Sequence, residues 1–290
     1  MLGEKINRPR KKIGLALGGG GAKGLAHIGV IKALEEADIP IDFIAGTSMG
    51  ALVGGWYAAN RNIKFLENIF LKIEHKDVFS EEEAKQKGGN LFRGKNFGEL
   101  LEKILDAKTF AQCELPFQAV ATNMENGQEV DIKEGSLAEA IKASIALPIV
   151  FQPVKREEQL LVDGVFTNPV PADVAREMGA ELVIAVDVSS RWVNISEDLI
   201  TPKSMEALIR HSFTAIEYQL ARKVLKQADI VIKPPVLTYN WLDFFRAKEI
   251  VDAGYREAKK NLDEIREKAG CPKKAPETLI EKIYDLINLQ

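Results

Sequence analysis

Cysteine and histidine are scarce in this sequence, with two cysteines and three histidines among 290 residues. Cys113 and Cys271 lie far apart along the chain, and neither has a CxxC spacing or a histidine cluster near it. These features argue against a disulfide framework and against a metal site, and they fit a reducing compartment. We therefore expect a cytoplasmic protein that binds no metal.

An excess of charge of one sign is also lacking. Lys and Arg total 39 against 42 Asp and Glu, which gives a net charge of −3 at pH 7. Proteins that bind nucleic acid usually carry a basic patch or stripe. We therefore expect no nucleic-acid partner, and the sequence identifies no protein partner.

Long hydrophobic runs are missing as well. The longest uncharged stretch, residues 43–60, is interrupted by four glycines and falls short of the roughly 20 apolar residues of a membrane span. Basic residues before Ile13 imitate a secretory signal, but the apolar stretch that follows is short and runs into glycines. We interpret it as a strand and a loop. The protein is expected not to be integral to a membrane, and peripheral contact with the inner membrane face stays open.

The composition, 46% hydrophobic and 28% charged residues, is typical of a globular protein. The chain is long enough for one large α/β domain. An apolar run at 13–17, a helical pattern at 24–37 and a second apolar run at 40–45 form a βαβ unit, which predicts a parallel sheet. The other predicted strands are 117–122, 129–133, 149–154, 159–162, 182–188 and 230–232. The other predicted helices are 46–59, 137–146, 170–178, 203–227 and 245–268.

We predict a single domain over residues 1–290, because the chain contains no repeats and no low-complexity linker. Its core is expected at about 12–235, with a C-terminal helical extension at 236–290 packed on it. Charges at i,i+4 spacing in 245–268 are typical of a helix with one solvated face. The polar segment 79–97 is either a lid or a simple surface loop.

Four consecutive glycines follow the first predicted strand and raise the question of which anion they bind. Gly19, Gly21 and Gly24 satisfy the GxGxxG pattern of dinucleotide-binding loops. That pattern also needs an acid about 20 positions later, at the end of the second strand, whereas Asp42 stands at its beginning. A Walker A loop fails because Leu25 follows the last glycine. What remains is a loop whose backbone N–H groups converge on an anion near a helix N terminus.

The sequence GTSMG, residues 46–50, matches the GxSxG motif at a strand-to-helix turn, where the serine is strained and its hydroxyl is exposed above the sheet. Gly46 and Gly50 let neighbouring backbone pass, so Ser48 is the predicted nucleophile. If the first two strands are neighbours in a parallel sheet, the glycine loop lies beside Ser48. Backbone N–H groups would then form an oxyanion hole, and the predicted donors are Gly19, Gly20, Gly21, Ala22 and Met49. The alternative is a helix start made of small residues for packing alone.

None of the three histidines is an obvious base for Ser48. His211 projects away from the apolar stripe of its own predicted helix. His27 follows the glycine loop and either approaches the serine or has a packing or capping role. His75 lies in a charged segment and is expected to be solvated.

Asp163 has a more favourable setting as the base. An apolar strand, LLVDG, delivers it to a strand end, and Gly164 frees the backbone immediately afterwards. Asp-Gly is also a common turn signal, so a simple turn is the alternative. Burial beside a serine would raise the pKa of the carboxyl and make it a usable base without histidine. We therefore hypothesise a Ser48–Asp163 dyad.

Together these motifs resemble the patatin-like phospholipase family, in its compact bacterial type, from about residue 12 to at least 188. The family's GGGx(K/R)G loop corresponds to residues 19–24, in which Lys23 and Gly24 support the loop, and its nucleophile elbow corresponds to GTSMG. Its Asp-Gly signature appears as Asp163-Gly164-Val165, where Val165 departs from the usual Gly or Ala. The block ASIALPIVFQPV, residues 143–154, is similar to the family's segment between elbow and aspartate.

The resemblance implies a three-layer αβα fold with a mainly parallel central sheet, the patatin-like variant of a serine hydrolase fold. It also implies hydrolysis of a lipid or another acyl ester by a phospholipase A, lysophospholipase or lipid esterase, without metal or cofactor. Ser48 would form the acyl-enzyme and Asp163 would be the base. One alternative is a non-catalytic or regulatory member that binds an acyl ligand or a protein, and another is a nucleotide-binding enzyme.

Four aromatic residues stand where a predicted loop enters the last predicted helix. They are Tyr239, Trp241, Phe244 and Phe245. Aromatic residues in such a place either contact a lipid surface or belong to the core. The sequence leaves both interpretations open.

Overall fold

The structure is a computed structural model that describes residues 9–78, 104–105, 108–148, 150–189 and 205–272. The side chains of 205–211 and 213 are outside this description. The strands are β1 (Ile13–Leu17), β2 (Phe43–Thr47), β3 (Phe117–Asn123), β4 (Glu129–Ile132), β5 (Val154–Arg156), β6 (Gln159–Asp163), β7 (Leu182–Val186) and β8 (Ile230–Ile232). The α-helices are α1 (Ala26–Glu36), α2 (Met49–Asn60), α3 (Ile63–Phe70), α4 (His75–Val78), α5 (Leu137–Ser144), α6 (Ala172–Glu177), α7 (Met205–Val224) and α8 (Ala247–Ala269).

The strands form one sheet in the order β5-β6-β3-β2-β1-β7-β8, with β4 also paired to β3. Strands β3, β2, β1, β7 and β8 are parallel to one another, whereas β4, β5 and β6 pair antiparallel. Strands β1 and β7 are adjacent, fully apolar and fully buried, as expected at the centre of a parallel sheet. The predicted α/β fold with a central sheet is confirmed.

Helices cover both faces of the sheet because alternate side chains of each strand point to opposite faces. Ile13, Leu15 and Leu17 of β1 belong to one apolar cluster, together with residues of α1, α2 and α8. Ala16 of the same strand belongs to a second cluster, which includes residues of α6 such as Val174. The sheet is therefore the middle layer of three, and the carboxyl ends of β1 and β2 lie at one edge of it.

The last helix, α8, packs closely on α1 through two glycines. A Cβ atom at Gly29 would collide with the carbonyl oxygen of Val251 and lie 2.5 Å from the nitrogen of Tyr255. A Cβ atom at Gly254 would lie 2.8 Å from the Cα of Ala26. The described part of the predicted C-terminal extension is therefore in close backbone contact with the core.

Most predicted elements are present, and their bounds differ where a glycine or proline shapes the chain. The predicted helix at 46–59 begins only at Met49, because residues 46 and 47 complete β2. The predicted helix at 24–37 opens with a 3-10 turn over Gly21–Leu25. The predicted strand at 149–154 is wrong in extent: β5 covers Val154–Arg156, and Pro153 precedes it.

Two further features bear on the predictions about membranes and loops. Within the described ranges, no helix is both long and apolar enough to cross a bilayer. The segment 79–97, interpreted from sequence as a lid or a surface loop, lies outside the described residues.

Candidate active site

Ser48 stands at the turn between β2 and α2 in a conformation that L-residues rarely adopt. Its φ is 54° and its ψ is −121°, outside the regions that sterics normally allow. The flanking glycines make this turn possible. A Cβ atom at Gly46 would lie 2.6 Å from the Cα of Ala51, and one at Gly50 would collide with the carbonyl of Leu17. The turn thus holds Ser48 at the carboxyl edge of the sheet.

The hydroxyl of Ser48 and the carboxyl of Asp163 are in direct contact. Ser48 Oγ donates a hydrogen bond to Asp163 Oδ2 at 2.7 Å, although 115 positions separate the two residues. Asp163 ends β6 and is 2% exposed. Its other oxygen, Oδ1, accepts a hydrogen bond from the Val165 N–H at 3.0 Å. The structure therefore brings the predicted nucleophile and the predicted base together.

Burial raises the pKa of Asp163 to about 7, even though the hydrogen bonds from Val165 and Ser48 oppose the shift. The negative charge of Glu217 on α7 raises it further. A carboxyl with this pKa exchanges a proton readily near neutral pH, which is what a general base must do.

The glycine loop lies against Ser48, but its backbone N–H groups are not equally available. A Cβ atom at Gly19 would lie 3.3 Å from the Cβ of Ser48. The Gly19 N–H donates to the carbonyl of Pro169 at 2.9 Å, and the Ala22 N–H donates to the carbonyl of Trp241 at 2.8 Å. These two predicted donors are therefore hydrogen-bonded to carbonyl groups elsewhere in the chain.

Three predicted donors stay available. The backbone N–H groups of Gly20, Gly21 and Met49 have no hydrogen-bond partner among the residues that the structure describes. Gly24 brings the loop against the elbow, since a Cβ atom there would lie 2.5 Å from Met49 Cγ. The candidate oxyanion hole is therefore narrowed to Gly20, Gly21 and Met49.

Lys23 and Gly164, which the sequence predicts as loop support, are both buried. Lys23 is 8% exposed, and burial lowers the pKa of its ammonium, while the charges of Glu217 and Asp187 oppose that shift. A Cβ atom at Gly164 would collide with the carbonyl of Val120. Only glycine at this position lets the chain turn so close to β3 immediately after Asp163.

Of the two interpretations of His27, the structure favours a packing role. His27 is fully buried, and its Nε2 donates to the carbonyl of Gly18 at 2.7 Å. Burial lowers the pKa of His27 to about 4, so the ring is neutral at pH 7. His75 is exposed, as predicted, and its ring lies 5.4 Å from that of Phe245. The side chain of His211 lies outside the described residues.

Sequence reasoning missed several residues that hold the site. Thr47 Oγ1 donates to the carbonyl of Asn168 at 2.7 Å, and the next residue, Pro169, accepts from the glycine loop. The Ser48 N–H donates to Ser144 Oγ at 2.9 Å. Asn-Pro is a recognisable turn signal. Ser144 lies in the block 143–154, but no local pattern there indicates its contact with the elbow.

The four C-terminal aromatic residues divide between core and surface. Phe244 is buried, Tyr239 and Trp241 are half-buried, and Phe245 is 41% exposed.

Across the described ranges, no group of three or more His, Cys, Asp or Glu residues is arranged to hold a metal ion.

Comparison with known proteins shows which family this chain is similar to. A family model described as patatin-like phospholipase matches residues 15–176. Human patatin-like phospholipase domain-containing protein 6 is 30% identical over 275 residues, which cover 85% of this chain and 20% of that protein. Lysophospholipase NTE1 of Pyricularia oryzae is 28% identical over 297 residues, which cover 90% of this chain and 19% of that protein. The chain thus spans about a fifth of the length of these curated relatives.

A solved structure that resembles the chain is VipD from Legionella pneumophila, with a TM-score of 0.49 and 15% identity. The similarity covers 89% of this chain and 67% of VipD. The family model, by contrast, matches more than half of the chain and includes both the glycine loop and the elbow. The chain therefore belongs to the patatin-like phospholipase family.

Proposed function

We propose that this protein is a serine acyl hydrolase that cleaves carboxylic esters of lipids through an acyl-Ser48 intermediate, with Asp163 as the base. The observation that carries the proposal is the 2.7 Å hydrogen bond from Ser48 Oγ to the buried carboxyl of Asp163. The names of the relatives, phospholipase and lysophospholipase, support a phospholipid or lysophospholipid as the substrate class.

In the acylation step, Ser48 Oγ attacks the ester carbonyl carbon while its proton passes to Asp163 Oδ2. The N–H groups of Gly20, Gly21 and Met49 would stabilise the oxyanion of the tetrahedral intermediate, since preorganised donors act where charge develops. When the intermediate collapses, the ester C–O bond breaks and Asp163 returns the proton to the leaving alcohol. The product is an ester between the acyl group and Ser48.

The second half-reaction repeats these proton transfers with water. Asp163 accepts a proton from a water molecule that attacks the acyl-serine carbonyl, and the same oxyanion donors stabilise the second intermediate. Collapse of that intermediate releases the carboxylic acid, and the proton returns from Asp163 to Ser48 Oγ. No redox step is needed, and the dyad returns to its initial state.

Hydrolysis of a graded p-nitrophenyl ester series and of lysophospholipid tests the proposal. We expect Ser48→Ala and Asp163→Asn to lose activity by at least about 100-fold. Matched controls are Ser136→Ala, at the half-buried N-cap of α5, and Asp252→Asn, at an exposed position on α8, and these should keep the wild-type rate. A fluorophosphonate probe should label wild type and not Ser48→Ala.

Two results would contradict the proposal. Hydrolysis by Ser48→Ala at the wild-type rate would exclude this serine as the nucleophile. A folded wild-type protein that neither hydrolyses the esters nor reacts with the probe would support a non-catalytic member that binds an acyl ligand. Peripheral contact with the inner membrane face stays a prediction. Of the four aromatic residues, Phe245 is exposed, Tyr239 and Trp241 are half-buried, and Phe244 is buried.

A further inference from the structure

Both members of the proposed dyad are tied through their backbone N–H groups to the end of α5. The N–H of Ser48 donates to Ser144 Oγ at 2.9 Å. The N–H of Asp163 donates to the carbonyl of Ala146 at 3.0 Å. Two residues that lie far apart in sequence are thus held by atoms only two positions apart in the chain.

The hydroxyl of Ser144 uses both its acceptor and its donor capacity. It accepts from Ser48 and donates to the backbone carbonyl of Val120 at 2.5 Å. Val120 lies in β3, and the next residue, Ala121, pairs with Asp163 across the β3–β6 ladder. The Ser144 hydroxyl therefore links the elbow to the strand on which the base is registered.

The conformation of Ser48 explains why this link matters. A backbone with positive φ at a serine is held only when its surroundings over-determine it. The Ser48 hydroxyl is restrained by Asp163, and the Ser48 N–H provides a second restraint through Ser144. Without an acceptor, this N–H would carry a desolvation penalty and the elbow would have one fewer restraint.

We propose that Ser144 is a positioning residue for the nucleophile, fixing the Ser48 backbone so that Oγ stays aligned with Asp163. The proposal rests on the function proposed above, because it assigns a role within the same dyad. Ser144 is fully buried and therefore touches the Ser48 backbone rather than substrate. Its loss should accordingly lower kcat and leave KM nearly unchanged.

The test compares Ser144→Thr with Ser144→Val. Both side chains add the same branch in the same space, and they differ only in that threonine keeps the hydroxyl. We expect kcat of the valine variant to be roughly 10- to 100-fold below that of the threonine variant, since small misplacements of reacting groups cost factors of this size. KM should agree within about twofold, because uniform substrate binding is unchanged.

Ser136→Ala is the matched structural control. Ser136 is the N-cap of the same helix, where its hydroxyl accepts from the Glu139 N–H. Its loss weakens α5 without touching the dyad, so kcat should stay at the wild-type value. If the valine variant fails to fold, the same kcat comparison is made between Ser144→Ala and wild type.

Equal kcat in folded hydroxyl-bearing and hydroxyl-lacking variants would overturn the proposal. So would a kcat loss in Ser136→Ala as large as that in Ser144→Val, because helix integrity alone would then explain the effect. Ser48→Ala, measured in parallel, separates the two levels of inference. If it is inactive while the Ser144 pair is equal, only the positioning role is wrong; if it is fully active, the proposed function is wrong and the positioning role with it.

Discussion

Trp241 accepts a hydrogen bond at its backbone carbonyl from the N–H of Ala22, at 2.8 Å. The contact joins the glycine loop to a segment near the C terminus, beyond residues 15–176 that the family model matches. The same carbonyl oxygen would lie 2.5 Å from a Cβ atom at Gly21. The chain after β8 therefore helps to set the path of the loop that carries the candidate oxyanion donors.

Gly21→Ala should lower kcat/KM by about 10- to 100-fold, because a misplaced donor near the reacting carbonyl costs rates of this order. Gly21 has a φ of +58°, and its added methyl group would meet the Trp241 carbonyl. Gly127→Ala is the matched control, since Gly127 has a φ of +70° with nothing within 4 Å. The control should lose about 1 kcal/mol of stability and keep its rate. Equal rates in the two variants would show that the path of the loop at Gly21 does not matter for hydrolysis.

The pH dependence of hydrolysis should follow the ionisation of Asp163. The pKa of this carboxyl is about 7, and a base acts only when deprotonated. Log kcat/KM should therefore rise with pH to a plateau, with a midpoint near 7 and about one tenth of the plateau rate at pH 6. A profile that is flat from pH 5 to 9 would exclude Asp163 as the base.

Glu217→Gln should move this midpoint to lower pH. The negative charge of Glu217 raises the pKa of Asp163. Burial raises the pKa of Glu217 itself to about 7; the charge of Lys23 opposes this shift, and the charge of Asp187 adds to it. Removing the carboxylate removes the repulsion, so Asp163 deprotonates more easily. Glu158→Gln, at an exposed turn between β5 and β6, should leave the midpoint unchanged. An unmoved midpoint in Glu217→Gln would contradict the coupling.

Asp163→Asn should be inactive and yet more stable than wild type at pH 8. The folded-state pKa of Asp163 lies above the unfolded value of 3.8. The folded state therefore holds more protons between about pH 4 and 7, and this group's contribution to stability falls as pH rises through that window. In urea unfolding at pH 8, the free energy of unfolding of Asp163→Asn should exceed that of wild type by up to about 4 kcal/mol, and at pH 5 by less. Asp252→Asn should show no such gain. A stability loss in Asp163→Asn at pH 8 would mean that burial of the charge is compensated.

Local sequence was sufficient to predict the elbow and both catalytic candidates, because their signals lie in a few adjacent residues. GTSMG combines a strand end, a strained serine and two glycines at the positions where neighbouring backbone passes closest to the turn. LLVDG places Asp163 at a strand end. Two strands were predicted with the correct bounds: β1, inside the sheet, matches the predicted run at 13–17, and β8, at its edge, matches the run at 230–232.

The use of individual N–H groups could not be predicted in this way. Gly19 and Ala22 looked equivalent to Gly20 and Gly21, and they differ because their acceptors, Pro169 and Trp241, come from distant parts of the chain. A hydrogen bond between residues so far apart depends on the tertiary fold and leaves no local pattern. The same reason explains why the contact between Ser144 and the elbow was missed.

Gly29→Ala tests whether α8 and the core unfold as one unit, as the predicted single domain requires. The added methyl group would collide with the Val251 carbonyl at the α1–α8 contact. Overpacking of this kind costs about 1–3 kcal/mol, and the observed loss is what remains after the roughly 1 kcal/mol that alanine gains over glycine in a helix. The Tm of Gly29→Ala should fall in a single transition, and so should the Tm of Gly127→Ala, whose added methyl group meets nothing within 4 Å. A separate, earlier transition for α8, with the core melting as in wild type, would contradict this prediction. The C-terminal helix would then be a unit that unfolds independently of the core.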